Sequence, residues 1–296
     1  MANRRVLVKR RKAARNIRKI TRTMQLIATA RFQSVHSAAV AGRPYTDKLA
    51  ELVEKLARAA SGHDHPLMQT PVEEKRHALL VLSSNRGLCG GYNANVLRMA
   101  LQHLAEAGAD DSETEVHVVG KKGAAYLRFV GQAVEREITD ISDSPRFEEV
   151  EPLANELMNR FTEGEIDSVS IAYMKFVSAG RQVPTIDRVL PLDRSASATP
   201  AESATAAPTH EVDYEFSPEP SEILAELLPA TVRVSFFQTF MDAAVSEQIA
   251  RMVAMKAATD AAGDMIKNLT QQYNRARQTQ ITMELLDIVG GANALA

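Results

Sequence analysis

Tryptophan is absent, aromatic residues supply only 5% of the chain, and Cys89 is the one cysteine in 296 residues. With bulky anchors scarce, apolar contacts fall to Ala, Leu, Ile, Val and Met, which suits closely paired helices. A single thiol excludes an intrachain disulfide and gives no sign of an oxidising compartment. Apolar runs such as 78–82 are far short of the ~20 residues that cross a bilayer, so direct membrane insertion is not expected. Acidic residues are missing before Asp47, whereas Arg4, Arg5, Lys9, Arg10, Arg11, Lys12, Arg15, Arg18, Lys19, Arg22, Arg31 and Arg43 crowd that stretch. Such a segment seeks an acidic partner. Its low Ser content, and apolar spacing in force by Ile17, mark it as mature structure and not a transit peptide.

Helix breakers are also missing where they would matter most. After Pro229 there is no proline, and the only glycines are Gly263, Gly290 and Gly291. The pattern predicts one uninterrupted helix of roughly 85 Å over 232–289. Ile249, Met252, Thr259, Ala262, Ile266, Leu269, Tyr273, Ala276, Gln280 and Met283 form a seam near a 3.5-residue period, which requires a partner helix. The N-terminal end offers one: Ile17, Ile20, Met24 and Ile27 step by three and four, as do Tyr45, Leu49, Leu52 and Leu56 beyond Gly42-Arg43-Pro44. Pro44 is expected to bend or restart this helix. The two ends then pair antiparallel, with everything between them inserted at one end of the pair.

The insert has another texture. Short apolar runs at 78–82, 116–119, 133–141, 169–177 and 183–192 read as strands, and 93–107, 121–130 and 146–162 read as helices. This alternation predicts an open, mainly parallel, Rossmann-like α/β sheet. The expected fold class is therefore α/β with a long antiparallel coiled coil. Its segments are an N-terminal helix at 1–60, an α/β domain at 75–194, an exposed loop at 195–220 rich in Ser, Ala, Thr, Pro and Glu, and a C-terminal helix at 221–296.

Few residues point to chemistry. The Gly-rich turn 84–93, Ser-Asn-Arg-Gly-Leu-Cys-Gly-Gly-Tyr-Asn, lies where a phosphate loop would sit. It has neither Gly-x-Gly-x-x-Gly nor a Gly-Lys-Ser/Thr ending, so a tight strand-to-helix turn is favoured over a nucleotide site. Cys89 reads as a small inert thiol, since no His or carboxylate can be assigned to it. His63 and His65 flank Asp64 but supply too few ligands for a metal. The basic arm lacks aromatics for base stacking and commits its other face to a helix, so a protein partner is favoured over nucleic acid. The Met residues, Met252, Met255, Met265 and Met283 among them, fit seam packing. No catalytic, cofactor-binding or metal-ligating residue is expected.

The run 246–260, Ser-Glu-Gln-Ile-Ala-Arg-Met-Val-Ala-Met-Lys-Ala-Ala-Thr-Asp, resembles the signature of the gamma-subunit family of F-type rotary ATP synthases. So do 273–278, Tyr-Asn-Arg-Ala-Arg-Gln, then 281–285, Ile-Thr-Met-Glu-Leu, and 288–292, Ile-Val-Gly-Gly-Ala. Upstream, 17–31, the turn 84–93 and Val183-Pro184-Thr185 are similar to further family landmarks, in the family's order. The 26–30 run and 236–245 depart locally from its pattern. The paired cysteines of the redox-regulated chloroplast form are missing, so thiol switching is not expected.

The resemblance implies a non-catalytic central stalk, coupling rotation of a proton- or sodium-driven membrane ring to ATP synthesis. It implies partners in the alpha and beta subunits, the epsilon subunit and the ring of c subunits. The implied location is peripheral, on the cytoplasmic face of a bacterial plasma membrane. Coupling and subunit contact fall, by the same resemblance, to Met24, Arg251, Gln278, Thr282 and Glu284.

Overall fold

The computed structural model describes residues 4–59, 65–69, 71, 74–109, 113–192 and 219–295. Of the sequence expectations, His63, Asp64 and 195–218 lie outside the described residues. The chain divides into two compact units, one formed by Met1–Ala30 with Arg251–Ala296, the other by Arg31–Ala250. Two helices, α1 (Arg4–Ala59) and α5 (Pro220–Leu295), supply segments to both.

Helix α1 runs through Pro44 as one element, so of the two expected outcomes, a bend or a restart, the restart does not occur. Proline in a helix interior forfeits one hydrogen bond and costs ~3 kcal/mol. The carbonyl it orphans belongs to Val40, on an exposed turn open to solvent. Buried Val35, Ala39, Leu49, Val53 and Leu56 on either side contribute about 1.5–3 kcal/mol for each larger apolar side chain.

The buried line of α1 is only partly the predicted one: Leu49 and Leu56 are buried and Met24 half-buried as expected, but the rest of the line differs. Leu7, Ala14, Thr21, Ala28, Val35, Gly42, Leu49 and Leu56 recur every seventh residue, all buried or half-buried. Ile17, Ile20 and Ile27 are at least half exposed, as is Tyr45, and Leu52 is nearly so. Half of that line, Ala14, Thr21, Ala28 and Gly42, is made of small residues, which let two helix axes come together. The α5 seam holds from Ile249 to Ala276, every member buried or half-buried, but Gln280 and Met283 are exposed.

Within Arg31–Ala250 a five-stranded sheet has the order β3-β2-β1-β4-β5. Strands β1 (Arg76–Leu82), β2 (Glu113–Val119), β3 (Arg136–Ile138) and β4 (Ser168–Ser178) are parallel, and β5 (Arg181–Leu190) is antiparallel to β4. Strand β3 is shorter than expected, pairing only with His117, Val118 and Val119 of β2. Helices α2 (Tyr92–Ala109) and α3 (Lys121–Phe129) cover the face bearing Leu79, Val81, Val116 and Val118. The opposite face carries Leu80, Leu82, Ile171 and Tyr173. It is covered by α4 (Phe147–Thr162) together with Val53 and Leu56 of α1 and Leu228, Val232, Phe236 and Phe240 of α5.

Candidate functional site

In the unit Met1–Ala30 with Arg251–Ala296, α1 and α5 lie antiparallel. Arg11 stacks its guanidinium 4.9 Å from the Tyr273 ring, Gly263 faces Arg18, and Thr259 Oγ1 donates to Thr21 Oγ1 at 2.8 Å. Leu7 and Ala14 pack with Leu269, Ile266 and Ala276. As one residue number rises the other falls, which defines the opposed directions. Residues 277–293 are exposed on every side of the helix, Ile281, Met283, Leu285, Leu286, Ile288 and Val289 included.

The five expected contact residues do not form one cluster. Met24 is half-buried in the pair and Arg251 is buried at 7% exposure, near one end of the α5 segment. Gln278, Thr282 and Glu284 lie about 40–50 Å further along it at 1.5 Å per residue, all exposed. Thr282 Oγ1 donates to the Gln278 carbonyl at 3.0 Å, and Glu284 Oε1 accepts from Gln280 Nε2 at 2.8 Å. The unit carries fifteen Lys and Arg (ten on α1, five on α5) against Asp260, Asp264, Glu284 and Asp287, a net charge of +11. With -2 for the whole chain, the remaining residues hold -13.

In the unit Arg31–Ala250 the Gly-rich turn spends its polar groups internally. The Ser84 N-H donates to Asn93 Oδ1, Asn93 Nδ2 donates to Ser84 Oγ and to Cys89 Sγ, and Asn85 Nδ2 donates to the Ile141 carbonyl. The first donors of α3 are used as well: Lys121 N-H meets Asn85 Oδ1, Lys122 N-H meets the Ser84 carbonyl, and Gly123 N-H meets Ser83 Oγ. Those groups would otherwise face an anion. Cys89 is 2% exposed. Phe240, Ala243, Ala244 and Glu247 of α5 lie across the ends of β1 and β2, leaving a void of about 40 Å³ beside Ser83 and Asn85. That holds a water or two, not a nucleotide. Among the described residues no group of three His, Cys, Asp or Glu is arranged to hold a metal, and no helix is long and apolar enough to cross a membrane.

The chain matches the family described as ATP synthase over residues 3–295. It is 44% identical to the ATP synthase gamma chain of Rhodopirellula baltica, covering 100% of this chain and 99% of that one. It is 40% identical to that of Leptospira biflexa, covering 100% of both.

The chain belongs to the ATP synthase gamma-chain family.

Among solved structures, a chain of the Euglena gracilis mitochondrial ATP synthase, described as OSCP/F1/c-ring, shares the fold. Its TM-score is 0.65 at 16% identity, over 99% of this chain and 94% of that one. A chain of the Tetrahymena thermophila mitochondrial enzyme, from its central stalk and c ring, has a TM-score of 0.59 at 21% identity, over 81% of this chain and 99% of that one.

Sequence reasoning missed one feature of the family fold as this chain builds it. Residues 241–249 of α5 are buried without interruption although Asp242, Ser246, Glu247 and Gln248 are polar. The available signal was a dense polar run inside an apolar helix that had no flanking breaker.

Proposed function

We infer that the chain is the central rotor stalk of an F-type ATP synthase, carrying rotation of a membrane ring to the alpha and beta subunits, which do the catalysis. The observation that carries this is the end of α5: a helix exposed on every side over 277–293, its apolar residues included. Apolar surface of that extent needs a sleeve supplied by other chains. An asymmetric axle in such a sleeve favours a different nucleotide affinity at each catalytic site as it turns, which is linkage between orientation and binding. The epsilon subunit and the ring of c subunits complete its partners.

Supporting the finer assignment, the +11 of the helix-pair unit suits an acidic sleeve whose pairs stay hydrated enough to exchange as the axle turns. Met24, Arg251, Gln278, Thr282 and Glu284 are the residues through which coupling and subunit contact run. The functional division is the N-terminal helix 1–60, the α/β domain 75–194, the connection 195–220 and the C-terminal helix 221–296. The location is the cytoplasmic face of a bacterial plasma membrane.

The test is reconstitution with alpha and beta subunits, with ATP hydrolysis measured with and without this chain; copurification and stimulated turnover are expected. Failure of the chain to enter the ring would overturn the rotor reading. Met24→Lys, which adds a charge to a half-buried contact position, is expected to lower protons pumped per ATP more than it lowers the melting temperature. Equal pumping stoichiometry in mutant and wild-type vesicles would remove Met24 from the coupling set.

A further inference from the structure

Within Arg31–Ala250, the all-round burial of 241–249 is produced by three sets of neighbours. Phe240, Ala243, Ala244 and Glu247 face the ends of β1 and β2 and the segment 141–145. Met241, Ala244 and Val245 pack on Val35 and Ala39 of α1, with Phe32 and Phe176 alongside. Asp242 turns toward Arg43 of α1, its Oδ1 3.9 Å from Nη2, and also accepts from Gln238 Nε2 at 3.3 Å. The group around it continues onto the sheet: Asp187 of β5 accepts from Tyr173 Oη at 2.7 Å and lies 3.7 Å from Lys175 Nζ of β4. Burial pushes the Asp242 carboxyl above its usual range, opposed by Arg43, Gln238 and Lys175 and reinforced by Asp187.

Helix α1 makes a second charged contact twelve residues earlier, about 18 Å along the axis. Arg31 Nη1 donates to Asp143 Oδ2 at 2.5 Å, in the segment that follows edge strand β3. Arg31–Asp143 thus ties α1 to the α/β domain, and Arg43–Asp242 ties α1 to α5. A buried carboxylate is costly and seldom adds net stability, but an ion pair is directional and defines one arrangement. Apolar packing is non-directional. It resists separation of α5 from its surroundings better than it resists slip about the helix axis.

We propose that Arg31–Asp143 and Arg43–Asp242 are torque keys: the first fixes the rotational position of α1 against the α/β domain and the second that of α5 against α1, so force applied to the α/β domain reaches both helices without slip. This rests on the rotor reading. The four residues are positioning residues, and the two keys act in series, from the domain to α1 and from α1 to α5.

The experiment uses the complete membrane-bound complex with R31D, D143R and the exchanged pair R31D/D143R, and measures both ATP hydrolysis and protons pumped per ATP. Each single variant is expected to retain hydrolysis but to pump about threefold fewer protons per ATP, the deficit growing as the opposing gradient is raised; the exchanged pair restores the ratio. Single variants that pump at the wild-type ratio under every gradient overturn the proposal. So does an exchanged pair that stays as uncoupled as the singles, because the loss would then follow packing and not charge. If a single variant fails to assemble, R31Q and D143N carry the same comparison, with gradient-dependent slip expected and gradient-independent pumping overturning it. Wild-type complex that hydrolyses ATP but never pumps refutes the rotor reading itself, a result distinct from any of these.

Discussion

At the scale of single residues, two positions show how closely the α/β domain is fitted together. Gly120 sits at φ +96° between β2 and α3, and a Cβ there would lie 2.3 Å from the Ser83 carbonyl oxygen. Ser83 Oγ meanwhile donates to the Val119 carbonyl and accepts the Gly123 N-H. Gly120→Ala therefore combines a disfavoured backbone with a collision against main chain. It is expected to cost at least ~2 kcal/mol in denaturant unfolding, and a loss under ~0.5 kcal/mol would show that the turn relaxes freely. His117, 3% exposed, lies with Nε2 3.5 Å from Glu115 Oε2. Burial lowers its pKa below the ordinary value, partly offset by Glu115. Because the folded ring resists a proton that the unfolded ring accepts, this contribution is complete above pH ~6.5 and is lost as pH falls below it. The melting temperature should drop between pH ~7.5 and ~5.5, and His117→Leu should flatten that dependence. An unchanged slope would assign the acid sensitivity to other groups.

At the scale of elements, α1 separates two kinds of apolar residue that look alike in sequence. The large aliphatics Ile17, Ile20 and Ile27 carry the visible three-four spacing yet face outward, whereas Ala14, Thr21 and Ala28 line the contact with α5. Hydrophobic size is a poor guide where axes approach closely, because each added methylene pushes the helices apart. Ala28→Leu is thus expected to destabilise the isolated chain by about 1–3 kcal/mol, while Ile20→Ser should stay within about 0.5 kcal/mol. Thermal unfolding of the two variants decides it, and the reverse order would reassign the buried face. The inserted domain was legible in outline, since strand and helix alternate with ordinary turn signals. Register and strand length were not. The extent of β3 depends on which β2 residues are free to pair, and the antiparallel direction of β5 depends on the tight connection after Ser178.

At the scale of the whole molecule, a net charge of -2 conceals +11 on one unit and -13 on the other. Opposed fields of that size govern association more than folding. The rate at which the chain enters an alpha-beta ring should fall about tenfold between ~50 and ~500 mM salt, measured by stopped-flow mixing. A salt-independent rate would remove electrostatic guidance from assembly. The contact residues taken from family resemblance are placed on α1 and α5, but they occupy separated stations on the helix pair. That distribution suits an axle touched at several heights and would be unusual for a single binding pocket.

Composition and periodicity by themselves determined that long helical segments bracket an α/β insert, that no disulfide forms within the chain, and that the N-terminal segment is basic. These are local properties, set by which residues disrupt helices, which carry charge and how apolar side chains recur. Only the tertiary structure decided which stripe of α1 is buried, that Pro44 stays within one helix, and that the polar run 241–249 is enclosed on all sides. Each depends on how near another element comes and what it presents, and separation between chain segments remote in sequence has no counterpart in the spacing of residues along either one.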